Sequence, residues 1–266
     1  MILGASYNFF NGEEHLEASI RSIRNQTDHI SVVYQTTSNK GRPIAEAAMS
    51  LLSVLRKDGL IDALYLFTPD LSKRPGENEA MKRRIGMSIA KQAGMTHFLS
   101  IDADEFYRER ELASAKRYID EHHVLNTCVG SYMHIRTPNW RAKDTTDVLF
   151  ITKLSWSTRI VRRYFVRNVD PTRKIVTWAP FSIPPFWTRF CRFDPDMIAM
   201  YHMNLVRKDM LQSKFQNSST DNRTFFDALE KVFVNWQPGT AFEFPGKGVM
   251  QVERVENEFK TWSPEG

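Results

Sequence analysis

The sequence predicts an α/β protein: a mostly parallel sheet flanked by helices, carrying a smaller and less regular second lobe. Apolar strand-like runs alternate with amphipathic helical runs at a spacing that calls for right-handed crossovers between parallel strands. Polar residues gather where those strand-like runs end, which is where open α/β sheets bind ligands. With 266 residues, 42% hydrophobic and 25% charged, the chain is long enough to bury a sizeable core.

The first strand is expected over residues 2–9, an apolar run that closes on Ser6, Tyr7 and Asn8 at the mouth of a cleft. A helix follows, with Asn11 as N-cap, Glu14 three residues on in capping-box position, and Leu16, Ile20 and Ile23 as its buried stripe. Residues 30–34 read as the second strand, leading into a polar loop from Gln35 to Gly41. Pro43 suits the first position of the next helix, with Ile44, Ala47, Ala48, Leu51 and Leu55 turned inward and Gly59 ending it. Residues 63–67 are the third strand. A helix over 77–93 carries Met81, Ile85 and Ile89 on one side and stops at Gly94. The fourth strand, 97–101, runs directly into Asp102-Ala103-Asp104-Glu105.

Beyond about residue 125 the pattern changes to short strand-like runs at 128–135 and 148–154, a basic stretch, and an aromatic, Pro-rich loop. The expected organisation is a ligand-binding first lobe over 1–125, and a second lobe with a C-terminal helical segment over 126–266. No internal repeat or low-complexity tract is present.

The N-terminal residues lack the basic, apolar and small-residue pattern of a secretory leader, and no window approaches about 18 uninterrupted apolar residues, so a cytoplasmic, non-spanning protein is expected. The sequons at Asn25, Asn217 and Asn222 are disregarded on that expectation. Cys128 and Cys191 lack zinc-site spacing and are expected to be reduced. A net charge of +5 suits an anionic partner: a nucleotide sugar, a phosphorylated lipid surface or nucleic acid.

Two carboxylates one residue apart at the end of a buried strand present an oxygen cluster suited to Mg²⁺ or Mn²⁺ rather than zinc. An ion held there by Asp102 and Asp104 would neutralise charge on a departing diphosphate. A solvated acidic turn is the ordinary explanation of an isolated Asp-Xaa-Asp. Here the pair follows an apolar strand in the fourth position of an alternating series, which favours the metal reading.

At this point the chain resembles family 2-type glycosyltransferases of the GT-A fold, over residues 1–107. SYNFFNGEEHLEASIRSIRNQ matches the family's first strand and helix, and ENEAMKRRIGMSIAKQAGMTHFLSIDADEF is similar to the segment leading into its metal-binding motif. The resemblance implies a sugar-nucleotide site involving Ser6, Tyr7 and Asn8, with Lys82 and Arg84 on the helix facing the donor. A solvent-facing basic helix face is the alternative for that pair. Where the family usually places acidic residues on the second strand, this chain has Tyr34 and Gln35. An amide at Gln35 can both accept from and donate to a uracil edge, which favours UDP as carrier. The family also implies a late histidine on the metal. His202 stands in similar placement, and Arg207, Lys208 and Lys214 follow it to meet the diphosphate. A structural role is the alternative for His202.

An acceptor hydroxyl in an inverting reaction needs a base, and Asp144, Asp147, Asp170, Asp194 and Asp196 are the available carboxylates, none within a recognisable motif. Asp104 and Glu105 are the catalytic carboxylates nearest the donor, and capping of a turn is the other reading of Glu105. Arg159, Arg162, Arg163, Arg167, Arg173 and Lys174, with Tyr164 and Phe165 interleaved, form the basic stretch, and Phe181, Phe186, Trp187 and Phe190 follow it. This region suits an acceptor glycan, a lipid-linked saccharide or another hydroxyl acceptor, a membrane surface, or nucleic acid. Two other functions stay open: a metal-dependent nucleotidyl or phosphoryl transferase, and a basic nucleic-acid-binding module.

Overall fold

The computed structural model describes residues 1–161, 172–178, 189–217 and 222–264. Its first part runs β1 (Leu3–Phe9), α1 (Glu13–Arg24), β2 (His29–Tyr34), α2 (Glu46–Lys57), β3 (Ala63–Leu66), α3 (Pro75–Gln92), β4 (His97–Asp102), β5 (Glu105–Phe106) and α4 (Glu109–Glu121). Then come β6 (Asn126–Ile135), β7 (Thr137–Lys143), β8 (Val148–Lys153), β9 (Arg159–Ile160), β10 (Ile175–Val176), β11 (Phe190–Arg192) and β12 (Ala199–Leu205). The chain closes with α5 (Gln212–Asn217), α6 (Arg223–Asn235), β13 (Phe242–Phe244), β14 (Gly248–Met250) and β15 (Val252–Arg254).

The central sheet has the order β15-β7-β6-β8-β4-β1-β2-β3. Strands β3, β2, β1 and β4 are parallel, as the alternation of strands and helices predicts. β8 runs antiparallel to both β4 and β6, so the sheet crosses residue 125 without a break. β12 lies parallel to β6 and antiparallel to the short β5.

Alternation along β1 sorts its side chains onto two faces. Leu3, Ala5, Tyr7 and Phe9 join Leu16, Ile20 and Ile23 of α1 in the main core, which also takes in Val129, Phe150 and Met200 from later strands. Each such large apolar side chain contributes roughly 1.5–3 kcal/mol on burial. The opposite face, Gly4 and Ser6, is small, and α3 lies close against it. A Cβ on Gly86 would stand 2.0 Å from Ser6 Oγ, and one on Gly4 would stand 2.7 Å from Met95 Cγ.

That close approach turns α3 away from the expected orientation. Its buried residues are Asn78, Lys82, Arg83, Gly86, Met87 and Ala90, while Met81 is exposed. Ile85 and Ile89 are half-buried. The helix begins at Pro75, its first turn closed by the Arg74 N–H donating to Glu77 Oε2 at 3.2 Å. α2 begins at Glu46 rather than Pro43, because the preceding loop is already committed: Ile44 N–H donates to Thr36 O at 2.8 Å and Ser38 N–H to Arg42 O at 2.7 Å. In α1 the N-cap is Gly12, at φ 87°, rather than Asn11, and the capping box with Glu14 does not form.

Strands β13 and β14 form a hairpin that packs with α6 on a second cluster around Leu205, Leu229, Phe233, Trp236 and Phe242. The C-terminal part thus has the helices α5 and α6 followed by three short strands. No helix among the described residues is long and apolar enough to cross a membrane.

Candidate active site

A cavity of about 260 Å³ opens at the carboxyl ends of β1, β2 and β4. Asn8, Gln35, Lys82, Asp102, Asp104, His202, Arg207 and Lys214 line it together. Ser6 and Tyr7 lie beneath it and not on its wall. Ser6 is buried under Gly86, and Tyr7 points to the opposite face, its Oη 3.0 Å from Ser19 Oγ. Burial pushes the Tyr7 hydroxyl far up, so it remains a neutral phenol. Arg84 is exposed on the outer side of α3, and the cation beside Lys82 that reaches the site is Arg83.

Arg83 is the hub of the floor. Its Nη1 donates to Ser100 Oγ at 2.8 Å, its Nη2 reaches both oxygens of Asp102 at 3.2 Å, and its Nε donates to Thr172 Oγ1 at 3.2 Å. The Asn8 amide oxygen accepts from the same guanidinium at 3.3 Å. Arg173 approaches from the later part of the chain, with Nη2 2.5 Å from Asp102 Oδ2 and Nη1 2.6 Å from Glu105 Oε2. Burial alone would raise the Asp102 carboxyl, and the charges of Arg173 and Arg83 overrule it and hold the group down at about 2.

Glu105 does not line the cavity. It is buried beneath, closes the turn by accepting the Asp102 N–H at 3.0 Å, and is clamped by Arg173. Burial raises its carboxyl in spite of that arginine. Its position corresponds to the turn-capping reading.

Asp104 faces the other way along the cavity. Arg207 donates to its Oδ2, and His202 Nε2 lies 3.5 Å from its Oδ1. Burial acts upward on this carboxyl, and Arg207, His202 and Lys214 outweigh it, keeping it well below the usual range. The encounter of Asp104 with His202 is built by the backbone: β5 and β12 pair with His202 opposite Glu105, and Met203 N–H donates to Asp104 O at 2.7 Å. Met210 and Leu211 both take positive φ, 53° and 79°, in the turn that returns the chain to α5. Lys214 on α5 thereby donates to Asn204 O at 3.1 Å, and burial lowers its ammonium to about 8.

On the side of β2, Lys82 pairs with Glu79 at 3.1 Å and Asn39 Nδ2 donates to Glu79 at 2.9 Å. The amide oxygens of Gln35 and Asn39 are buried without a hydrogen-bond donor among the described residues. An orphaned buried acceptor costs about 1–3 kcal/mol, so a pair of them in one cavity wall points to a ligand carrying N–H or O–H donors.

Two carboxylates and an imidazole in one cavity are a donor set that suits Mn²⁺ or Mg²⁺, and the residues fit such an ion by their chemistry. Among the described residues no group of three or more His, Cys, Asp or Glu is gathered closely enough to hold an ion as they stand. The carboxylates face arginines instead.

The remaining carboxylates considered as bases lie elsewhere. Asp144 pairs with Lys247 at 2.5 Å and Asp147 with Arg192 at 2.9 Å, while Asp194 and Asp196 are exposed in a turn. Asp170 falls outside the described residues, as do Arg162, Arg163, Tyr164, Phe165, Arg167, Phe181, Phe186 and Trp187. Of the basic stretch, Arg159 is exposed on β9, Lys174 is half-buried, and Arg173 belongs to the site floor. Lys208 is outside the cavity, its Nζ 5.9 Å from the Trp262 ring centroid. Arg83 escaped the sequence reading, Asn39 entered it only as part of the polar loop from Gln35 to Gly41, and Arg173 only as part of the basic stretch. Arg83 was one position from Arg84 and could have been found from the packing of Gly86 and Ala90.

No protein-family model and no curated protein matches the chain. Among solved structures it is similar to a fragment of S. aureus TarS, residues 1–349, with 18% identity and a TM-score of 0.37 over 50% of this chain and 36% of that one. It is likewise similar to that fragment with UDP bound, at 15% identity and TM-score 0.36 over 50% of this chain and 36% of that one. With UDP-GlcNAc bound, the values are 18% identity and TM-score 0.37 over 50% of this chain and 35% of that one. The chain thus spans about a third of the length of the TarS fragment.

Proposed function

We propose that this chain is a metal-dependent glycosyltransferase of the GT-A type, moving a sugar from a nucleoside diphosphate donor, UDP by preference, to a hydroxyl acceptor. The observation that carries the reading is the make-up of one cavity at the strand ends. It joins Asp102, Asp104 and His202 to Lys82, Arg207 and Lys214, beside the two amide oxygens that lack donors.

Asp102, Asp104 and His202 would hold a divalent ion, which supplies positive charge against the departing diphosphate. Lys82, Arg207 and Lys214 add preorganised charge to the same oxygens, at no reorganisation cost when the glycosidic bond to phosphate breaks. Arg207 exchanges Asp104 for phosphate, releasing that carboxylate. The Gln35 and Asn39 oxygens accept from the single N–H of the uracil and from a ribose hydroxyl, and orient the nucleoside. Arg83 and Arg173 keep the Asp102 carboxylate ionised and fixed, and Glu105 holds the turn on which both aspartates stand.

The decisive experiment is thermal shift with UDP and with UDP-sugars, in the presence and absence of Mn²⁺, followed by product analysis. A ligand at 100 times its Kd adds about 2.7 kcal/mol to apparent stability. We expect Mn²⁺-dependent stabilisation by UDP that is lost in Asp104→Ala with the fold intact, and release of nucleoside diphosphate. Release of pyrophosphate would identify a nucleotidyl transferase instead. Salt-dependent oligonucleotide binding without nucleotide-sugar turnover would identify a nucleic-acid-binding module.

A further inference from the structure

The C-terminal segment is strapped across the outer side of β5 and β12. Arg108 holds Glu258 with two bonds of 2.7 and 2.8 Å, Arg141 holds Glu253 at 2.6 Å, and Phe259 packs on Phe106 and Tyr201. The end of this strap reaches the interior through one residue. His15 of α1 is fully buried, with Nδ1 2.7 Å from Thr261 Oγ1 and Nε2 2.6 Å from the carbonyl oxygen of Val206.

A carbonyl only accepts, so Nε2 carries the proton and donates. Nδ1 is then a bare acceptor and takes the Thr261 hydroxyl proton. Burial and the neighbouring Arg207 charge both lower the imidazole pKa, which keeps this neutral tautomer in place. The three groups form a directed chain, Thr261 to His15 to Val206, ending on the peptide unit from which Arg207 departs.

Arg207 depends on that backbone because its own contacts are few. It donates to Asp104 Oδ2 through Nη2, its Nη1 stands 3.7 Å from Glu14, and Nε and Nη1 are buried without hydrogen-bond partners among the described residues. Glycine at residue 12 leaves room for the guanidinium where it stands: a Cβ there would lie 2.7 Å from Nη1. A side chain hydrogen-bonded to one carboxylate, with a second at ion-pair distance, takes much of its direction in so narrow a slot from where its backbone is fixed.

We propose that His15 is a positioning residue: bridging Thr261 to the Val206 carbonyl, it aims Arg207 at Asp104 and, on the functional reading above, at the donor diphosphate. The strap of residues 252–262 is thereby part of the site's support, although none of it lines the cavity.

Two readouts test this. Without ligand, the Arg207 Nε–H is followed by ¹⁵N-arginine NMR and assigned by its loss in Arg207→Lys. Thr261→Val, nearly isosteric, is expected to speed its solvent exchange by about tenfold or more while the other arginine signals hold. His15→Gln, whose amide can donate to Val206 and accept from Thr261, is expected to restore slow exchange where His15→Leu does not. With ligand, Thr261→Val should weaken Mn²⁺–UDP binding about tenfold in the natural chain and less than about twofold in an Arg207→Gln background. Unchanged Nε–H exchange in Thr261→Val, or equal weakening in both backgrounds, would overturn the proposal. If the natural chain fails to bind UDP, the functional reading falls, and the exchange measurement still decides the role of His15.

Discussion

Replacing Gly86 by alanine tests the claim that α3 is pressed onto β1 closely enough to carry Lys82 and Arg83 into the site. The new methyl would stand 2.0 Å from Ser6 Oγ and 2.6 Å from Ser6 Cβ, with Val33 Cγ2 at 3.7 Å. Turning the serine rotamer moves Oγ but leaves Cβ in place, so relief requires lifting the helix by over about 1 Å to regain an ordinary contact of about 3.5 Å. Overpacking of this kind costs about 1–3 kcal/mol. The better helix propensity of alanine returns about 1 kcal/mol, leaving a net loss of about 0–2 kcal/mol. Ser6→Gly removes both obstructing atoms at a cost of about 0.5–1 kcal/mol for a glycine within a strand. Gly86→Ala/Ser6→Gly is therefore expected to be no less stable than Gly86→Ala alone, and to regain the ligand affinity that the lifted helix loses. Urea unfolding followed by circular dichroism gives the stabilities from the midpoint at constant slope, and UDP titration gives the affinities. If Gly86→Ala is more stable than the natural chain by about 0.5 kcal/mol or more, helix propensity alone governs the position and the tight α3–β1 contact is refuted.

Further predictions concern the charges. Arg173→Met strands Glu105 in the interior and should cost about 3–5 kcal/mol, measured by the same urea unfolding; a change below about 1 kcal/mol would mean that the pair is not buried in solution. The depressed Asp102 pKa, about 2 against an ordinary 3.8, means that its contribution is fully present above about pH 4 and drains away as pH falls toward 2. Asp102→Asn should flatten acid unfolding across that window. His134 is buried with Nδ1 on the Pro138 carbonyl, and burial holds its pKa near 3 against an ordinary 6.5. The unfolded chain takes up a proton there that the folded one refuses, so stability should fall as pH drops below about 6.5, and fall less steeply in His134→Gln. Gln35→Leu should bring UDP affinity down toward that of pyrophosphate, read by calorimetry, since the change removes a base contact and no charge.

Much of the first half was legible because its periods are clean. Residues 3–9, 29–34 and 97–102 are apolar runs between amphipathic helices, and Leu16, Ile20 and Ile23 mark the buried side of α1 without ambiguity. The face of α3 was not legible in the same way. Hydrophobicity pointed to Met81, Ile85 and Ile89, whereas the helix meets a sheet surface of Gly4, Ser6 and Ser100, and small residues there admit backbone rather than large side chains. Lys82 and Arg83 are buried as a consequence, and Arg84 is outside. Arg173 illustrates a second limit: it lies 68 residues from Glu105 and 71 from Asp102, and nothing local announces an ion pair of that span. The approach of His202 to Asp104 depends on the pairing of the two-residue β5 with β12, an element too short to leave a periodic signal.

The placing of β8 between β4 and β6 bears on how the chain is made. Until β8 leaves the ribosome, the strand that carries Asp102 has β1 on one edge and an open row of amides and carbonyls on the other. At about 5–20 residues per second, the stretch from β4 to the end of β8 takes roughly 3–10 s to synthesise. A nascent chain with that edge uncovered is a template for its neighbours on the same polysome, so slower initiation or a holding chaperone should raise soluble yield more than any change to the finished protein.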